Sequence, residues 1–94
     1  MPEKTLFKSE SKFTRAEIAQ YLRSVADSLE AGRPITLKSG DQSVTMEPPE
    51  RPTFEVKVEE EGKLGRPKEF SIEFELEWKE GDSASGGGGK LEIE

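Results

Sequence analysis

Residues 70–78 read Phe70-Ser71-Ile72-Glu73-Phe74-Glu75-Leu76-Glu77-Trp78, an unbroken alternation in which the even-numbered residues are apolar and the odd-numbered ones polar. Side chains on a β-strand point alternately to opposite faces, so this stretch is a strand with one face toward a core and one toward water. It ends on the only tryptophan of the chain, a residue type that often anchors partners. Trp78 shares the phase of the apolar face, which favours a plug at the end of the core over an exposed hook.

Working back along the chain, Phe54, Val56 and Val58 alternate with Glu55, Lys57 and Glu59 and predict a strand that pairs with the first. In an antiparallel pair the facing residue numbers add to a constant. A constant of 130 sets Val58 beside Ile72 and Lys57 beside Glu73, which places a cation among the glutamates; 128 and 132 are the neighbouring registers. Further back, Ile35-Thr36-Leu37-Lys38 and Ser43-Val44-Thr45-Met46 alternate on either side of Gly40-Asp41, a pair suited to a two-residue hairpin turn. That turn sets Ile35 opposite Met46 and Leu37 opposite Val44, and the apolar pattern independently demands the same register. Between the hairpins, Glu47-Pro48-Pro49-Glu50-Arg51-Pro52 reads as a stiff extended connector, although its PxxP spacing also occurs in ligands of aromatic grooves.

Before the first hairpin, Thr14 and Glu17 have the T-x-x-E spacing of a capping box, which predicts a helix start. Ile18, Tyr21, Leu22, Val25 and Leu29 recur at helical spacing, and Gly32 and Pro34 stop the helix. A single apolar stripe suits a helix lying across a sheet. The stretch from Lys4 to Phe13, with Leu6, Phe7 and Phe13 as its apolar content, is expected to add a further strand. The fold class is therefore α+β: one amphipathic helix packed on one face of a four- or five-stranded antiparallel sheet, in two layers. Residues 1–80 form the expected domain, and residues 81–94 a flexible Gly/Ser-rich tail ending in the alternating Leu91-Glu92-Ile93-Glu94.

Composition sets the chemistry. The 94 residues carry 20 acids against 14 bases, a net charge of −6, without a basic cluster, which argues against nucleic acid or an anionic membrane as partner. The absence of cysteine and histidine removes disulfides, thiol nucleophiles, Cys/His zinc sites and imidazole catalysis. No apolar run resembles a signal or a membrane span, so a cytoplasmic setting is the expectation. About twenty large apolar residues, each contributing about 1.5–3 kcal/mol when buried, suffice for a small core without an enclosed ligand cavity. Glu73, Glu75 and Glu77, beside Glu55 and Glu59, could be read as a divalent-cation site or paired catalytic carboxylates. Alternate strand residues stand about 6.6–6.8 Å apart, however, and a solvated face is the simpler reading.

The segments Leu6-Phe7-Lys8-Ser9-Glu10, Thr14-Arg15-Ala16-Glu17-Ile18-Ala19 with its continuation Tyr21-Leu22-Arg23-Ser24-Val25-Ala26-Asp27-Ser28-Leu29-Glu30-Ala31-Gly32, and Glu73-Phe74-Glu75-Leu76-Glu77-Trp78 resemble the amphi-Trp domain family of archaea and bacteria over roughly residues 4–80. The resemblance implies the architecture and, at Trp78, a family hallmark; it implies no activity.

The expected function is a non-catalytic protein-interaction module that needs no cofactor or metal. It uses a sheet edge or the C-terminal tail to pair with another protein or with itself. Candidate interaction residues are Trp78, Leu91, Ile93, Glu73, Glu75 and Glu77. The alternative is an acidic face that binds cations or basic proteins, and an enzyme based on carboxylates ranks below both.

Overall fold

A computed structural model describes residues 2–82 and 91–94. Residues 83–90, the larger part of the expected Gly/Ser linker, lie outside the described residues. The elements run α1 (Arg15–Ala31), β1 (Ile35–Ser39), β2 (Gln42–Met46), β3 (Thr53–Glu61) and β4 (Glu69–Glu77). The chain divides into two compact units, Met1–Pro48 and Pro49–Glu94.

In the first unit, the helix starts where the capping box sets it. The Thr14 hydroxyl accepts from the Glu17 N–H at 3.1 Å, and the Glu17 carboxylate accepts from the Thr14 N–H at 3.0 Å. The bond from the Thr14 N–H, and after it the Thr14 hydroxyl, hold the Glu17 carboxyl below its ordinary pKa. At the other end Gly32 takes the left-handed conformation (φ 68°), and Gly32 and Arg33 donate to the carbonyls of Leu29 and Ser28. The short hairpin has the expected register, Ile35 opposite Met46 and Leu37 opposite Val44. Gly40 alone of the two turn residues has positive φ (58°), the arrangement of a type II′ turn with glycine first. On the polar face the hydroxyls of Thr36 and Thr45 are 2.9 Å apart and share a hydrogen bond across the strands.

The N-terminal stretch is a correction. Residues 4–13 are not a strand. The main chain of Lys8 instead meets the side chain of Gln42: the Lys8 N–H donates to Oε1 at 3.2 Å, and Nε2 donates to the Lys8 carbonyl at 3.0 Å. One side-chain amide satisfies both backbone groups that a ladder would otherwise have claimed, so no strand is required there.

In the second unit β3 and β4 pair with the constant of 130, Val58 opposite Ile72 and Lys57 opposite Glu73. The same register sets Trp78 opposite Pro52, which has no N–H to give. The ladder accordingly stops at Thr53 and Glu77.

All four strands of the expected sheet are present, but they form two two-stranded antiparallel sheets instead of one sheet of four or five. Each hairpin pairs within its own unit, β1 with β2 in the first and β3 with β4 in the second. The expected burial is also corrected. Phe70, Ile72, Phe74 and Leu76 do share a face with Phe54, Val56 and Val58, yet among the described residues no side chain is buried. A two-stranded hairpin has nothing of its own to cover its apolar face.

Candidate functional site

The first unit contains an open groove of about 470 Å³. Every residue of β1, Ile35 through Ser39, lines it. Successive strand residues point to opposite faces, so a groove touched by all five runs along the strand's edge and not over either face. That edge is the one left open: β1 bonds to β2 on one side, and among the described residues no backbone bond reaches it from the other. The opposite wall comes from Val25 and Tyr21 of α1 and from Phe7 and Phe13 of the N-terminal stretch. Phe13 meets Tyr21 edge-to-face, with ring centroids 5.4 Å apart and planes at 70°, which holds the aromatic wall in place. Lys38 is the one charged residue among those lining the groove.

The groove is thus an unpaired row of backbone donors and acceptors with an apolar wall beside it. That is the geometry that accepts an extended peptide as an added strand. Sequence patterning implies a free edge without locating it. It places Phe7 and Phe13 on a strand and Tyr21 in an apolar stripe, and only their convergence on β1 makes them a wall. Tyr21 is 57 % exposed, so its ring is available to a ligand as well as to Phe13.

The six residues singled out from sequence belong to the second unit. Glu73, Glu75 and Glu77 lie on the polar face of β4, with Glu55 directly opposite Glu75. Lys57 bridges Glu59 at 3.0 Å and Glu73 at 3.2 Å, and its pKa rises, chiefly through the bond to Glu59 and then that to Glu73. Among the described residues Glu75 has no such partner. A hydrogen bond with Glu77, and then the charge of Glu55, raise its pKa above the ordinary carboxylate value. Like charges this close disfavour ionisation, and all these groups are solvated. Among the described residues no group of three or more carboxylates is arranged to hold a metal ion. Trp78, just beyond β4, is half-buried. Leu91 and Ile93 are exposed and belong to no strand.

The match to the Amphi-Trp domain runs over residues 1–94. The chain belongs to the Amphi-Trp family. The match takes in the glycine-rich tail, which lies beyond the resemblance over residues 4–80. This Amphi-Trp domain therefore carries both the amphipathic strand with its terminal tryptophan and the groove at β1. Comparison with curated proteins and with solved structures returned no match. No helix among the described residues is long and apolar enough to cross a membrane.

Proposed function

We propose that this Amphi-Trp domain is a non-catalytic interaction module that captures an extended polypeptide segment as an added strand along the free edge of β1. The supporting observation is that one groove is lined by all five residues of β1 together with Phe7, Phe13, Tyr21 and Val25. Main-chain hydrogen bonds to the edge supply affinity whatever the ligand sequence, and the apolar wall selects for alternate apolar side chains. The chain's lack of histidine and cysteine accords with a binding role, and so does the solvation of its shifted carboxylates. A cytoplasmic setting is part of this reading, in keeping with a cysteine-free chain.

Titration of the full chain with a panel of extended peptides, followed by amide NMR, tests the proposal. Binding is expected to shift the amides of Ile35–Ser39 and the ring of Tyr21, and to slow hydrogen exchange along β1. Shifts confined to other surfaces, or none with any peptide, overturn it. A second reading, an acidic face for cations or basic proteins, draws on the opposed Glu55 and Glu75. Any complex it forms weakens strongly with salt, whereas a strand addition dominated by backbone bonds and apolar contacts does not.

A further inference from the structure

The groove along β1 combines an apolar wall with a single charged side chain, Lys38. On β1 the residues alternate, so Ile35 and Leu37 project to one side of the edge and Thr36 and Lys38 to the other. A strand laid on this edge finds apolar partners for every second residue and a cation beside the intervening ones. Its preferred sequence therefore alternates apolar with acidic residues.

The C-terminal Leu91-Glu92-Ile93-Glu94 has this alternation. Leu91 and Ile93 are 52 % and 68 % exposed and stand in no sheet, so they are apolar groups without cover. We infer that the groove along β1 of one copy takes the Leu91–Glu94 segment of a second copy as an added strand, with Leu91 and Ile93 on the apolar wall and Glu92 and Glu94 toward Lys38. The inference rests on the strand-capture reading and adds the ligand's identity. Charge complementarity to Lys38 and the absence of a strand partner together single out this segment among the alternating stretches of the described residues. Residues 53–59 and 70–77 already pair with each other, and residues 42–46 pair with β1 through its other edge. Each copy holds one groove and one tail, so exchange between two copies satisfies both grooves at once and closes as a two-fold pair. Among the described residues no ion pair engages Lys38 within its own chain, which leaves it available to a carboxylate.

The test uses the full chain, whose mass is 10.5 kDa. Light scattering over a concentration series is expected to show the mass rise toward that of a dimer, with concentration-dependent amide shifts at Ile35–Ser39. Ile93→Lys places a charge against the apolar wall and is expected to weaken association more than tenfold. Residues 91–94 belong to no secondary-structure element, so this variant leaves the fold intact and its outcome reports on binding. Lys38→Glu is expected to weaken association several-fold, and pairing it with Glu92→Lys and Glu94→Lys to restore it; a merely structural role for Lys38 gives no such rescue. A mass that stays at 10.5 kDa, or an association indifferent to Ile93→Lys, overturns the inference. So do concentration-independent β1 shifts in a monomer, which signify capture of the tail by its own copy. A free peptide of residues 88–94 separates strand capture from the choice of ligand. If other extended peptides shift β1 and this one does not, strand capture stands and the tail is not its ligand. If no peptide shifts β1, both fail.

Discussion

The two hairpins are built on one rule and differ in how each handles charge and closure. β1–β2 is five residues a side, closed by a two-residue turn at Gly40-Asp41, with a neutral Thr36–Thr45 bond on its polar face. β3–β4 is nine residues a side, closed by a longer loop, with Glu55, Glu73, Glu75 and Glu77 on that face. Residues 1–48 carry seven bases and seven acids, and residues 49–94 seven and thirteen, so the whole net charge of −6 lies in the second unit. The shifted carboxylates differ in sign accordingly: Glu17 is lowered by a cap it completes, and Glu75 is raised by neighbours it repels. The proposed strand capture belongs to the unit whose charge is balanced. The acidic unit resists unscreened contact with other acidic surfaces.

The sharpest way to break this comparison is at the short turn. Gly40→Val forces a β-branched residue into the left-handed region and is expected to cost about 1–2 kcal/mol, with the loss of amide protection concentrated in β1 and β2. Equal loss across β3 and β4, read by hydrogen exchange, contradicts the view that the turn stabilises its own hairpin. Thr14→Ala removes the cap and is expected to cost about 1 kcal/mol by denaturant unfolding. The Glu17 contribution to that cap is present above its ordinary pKa and fades as pH falls through the lowered value; the main-chain N–H that supplies most of it survives Thr14→Ala, so parent and variant both lose it in acid and most of the difference between them persists. Thr36→Val loses the cross-strand hydroxyl bond for about 0.2–1 kcal/mol.

The smallest effect carries the opposite sign. Because the pKa of Glu75 is raised in the folded hairpin, its contribution is present at acid pH and lost as pH rises through and beyond the carboxylate range. Glu75→Gln is therefore expected to be slightly more stable than the parent at neutral pH and equal to it in acid, with the difference shrinking as salt is added. A variant less stable than the parent at neutral pH shows that Glu75 makes a favourable contact outweighing the repulsion.

Much of the fold is legible in local spacing. The capping box at Thr14 and Glu17 and the register of the short hairpin follow from it, while the register of the long hairpin is one of the three that spacing allows. The even-numbered apolar face of residues 70–78 is real, and its register sets Lys57 opposite Glu73. The candidate site is less legible. Trp78 and the three glutamates stand out by residue type and pattern, yet the groove gathers Phe7, Phe13, Tyr21 and Lys38 from three separate segments, and no window of sequence contains that convergence. The expected strand over residues 4–13 is absent for a similar reason, since the backbone partner there is a glutamine side chain 34 residues away.

Sequence alone dictates what repeats at short range: where the helix starts and stops, which strand residues share a face, and, across the two-residue turn, which residues stand opposite one another. Turn geometry, caps and the two-residue strand period act between neighbours, so they can be read in order. Contacts between distant segments are what bring Phe7, Phe13 and Tyr21 together as an aromatic wall beside the open edge of β1. There the outcome turns on which distant group meets an unpaired N–H or carbonyl, and the amide of Gln42, 34 residues from Lys8, acts at that level.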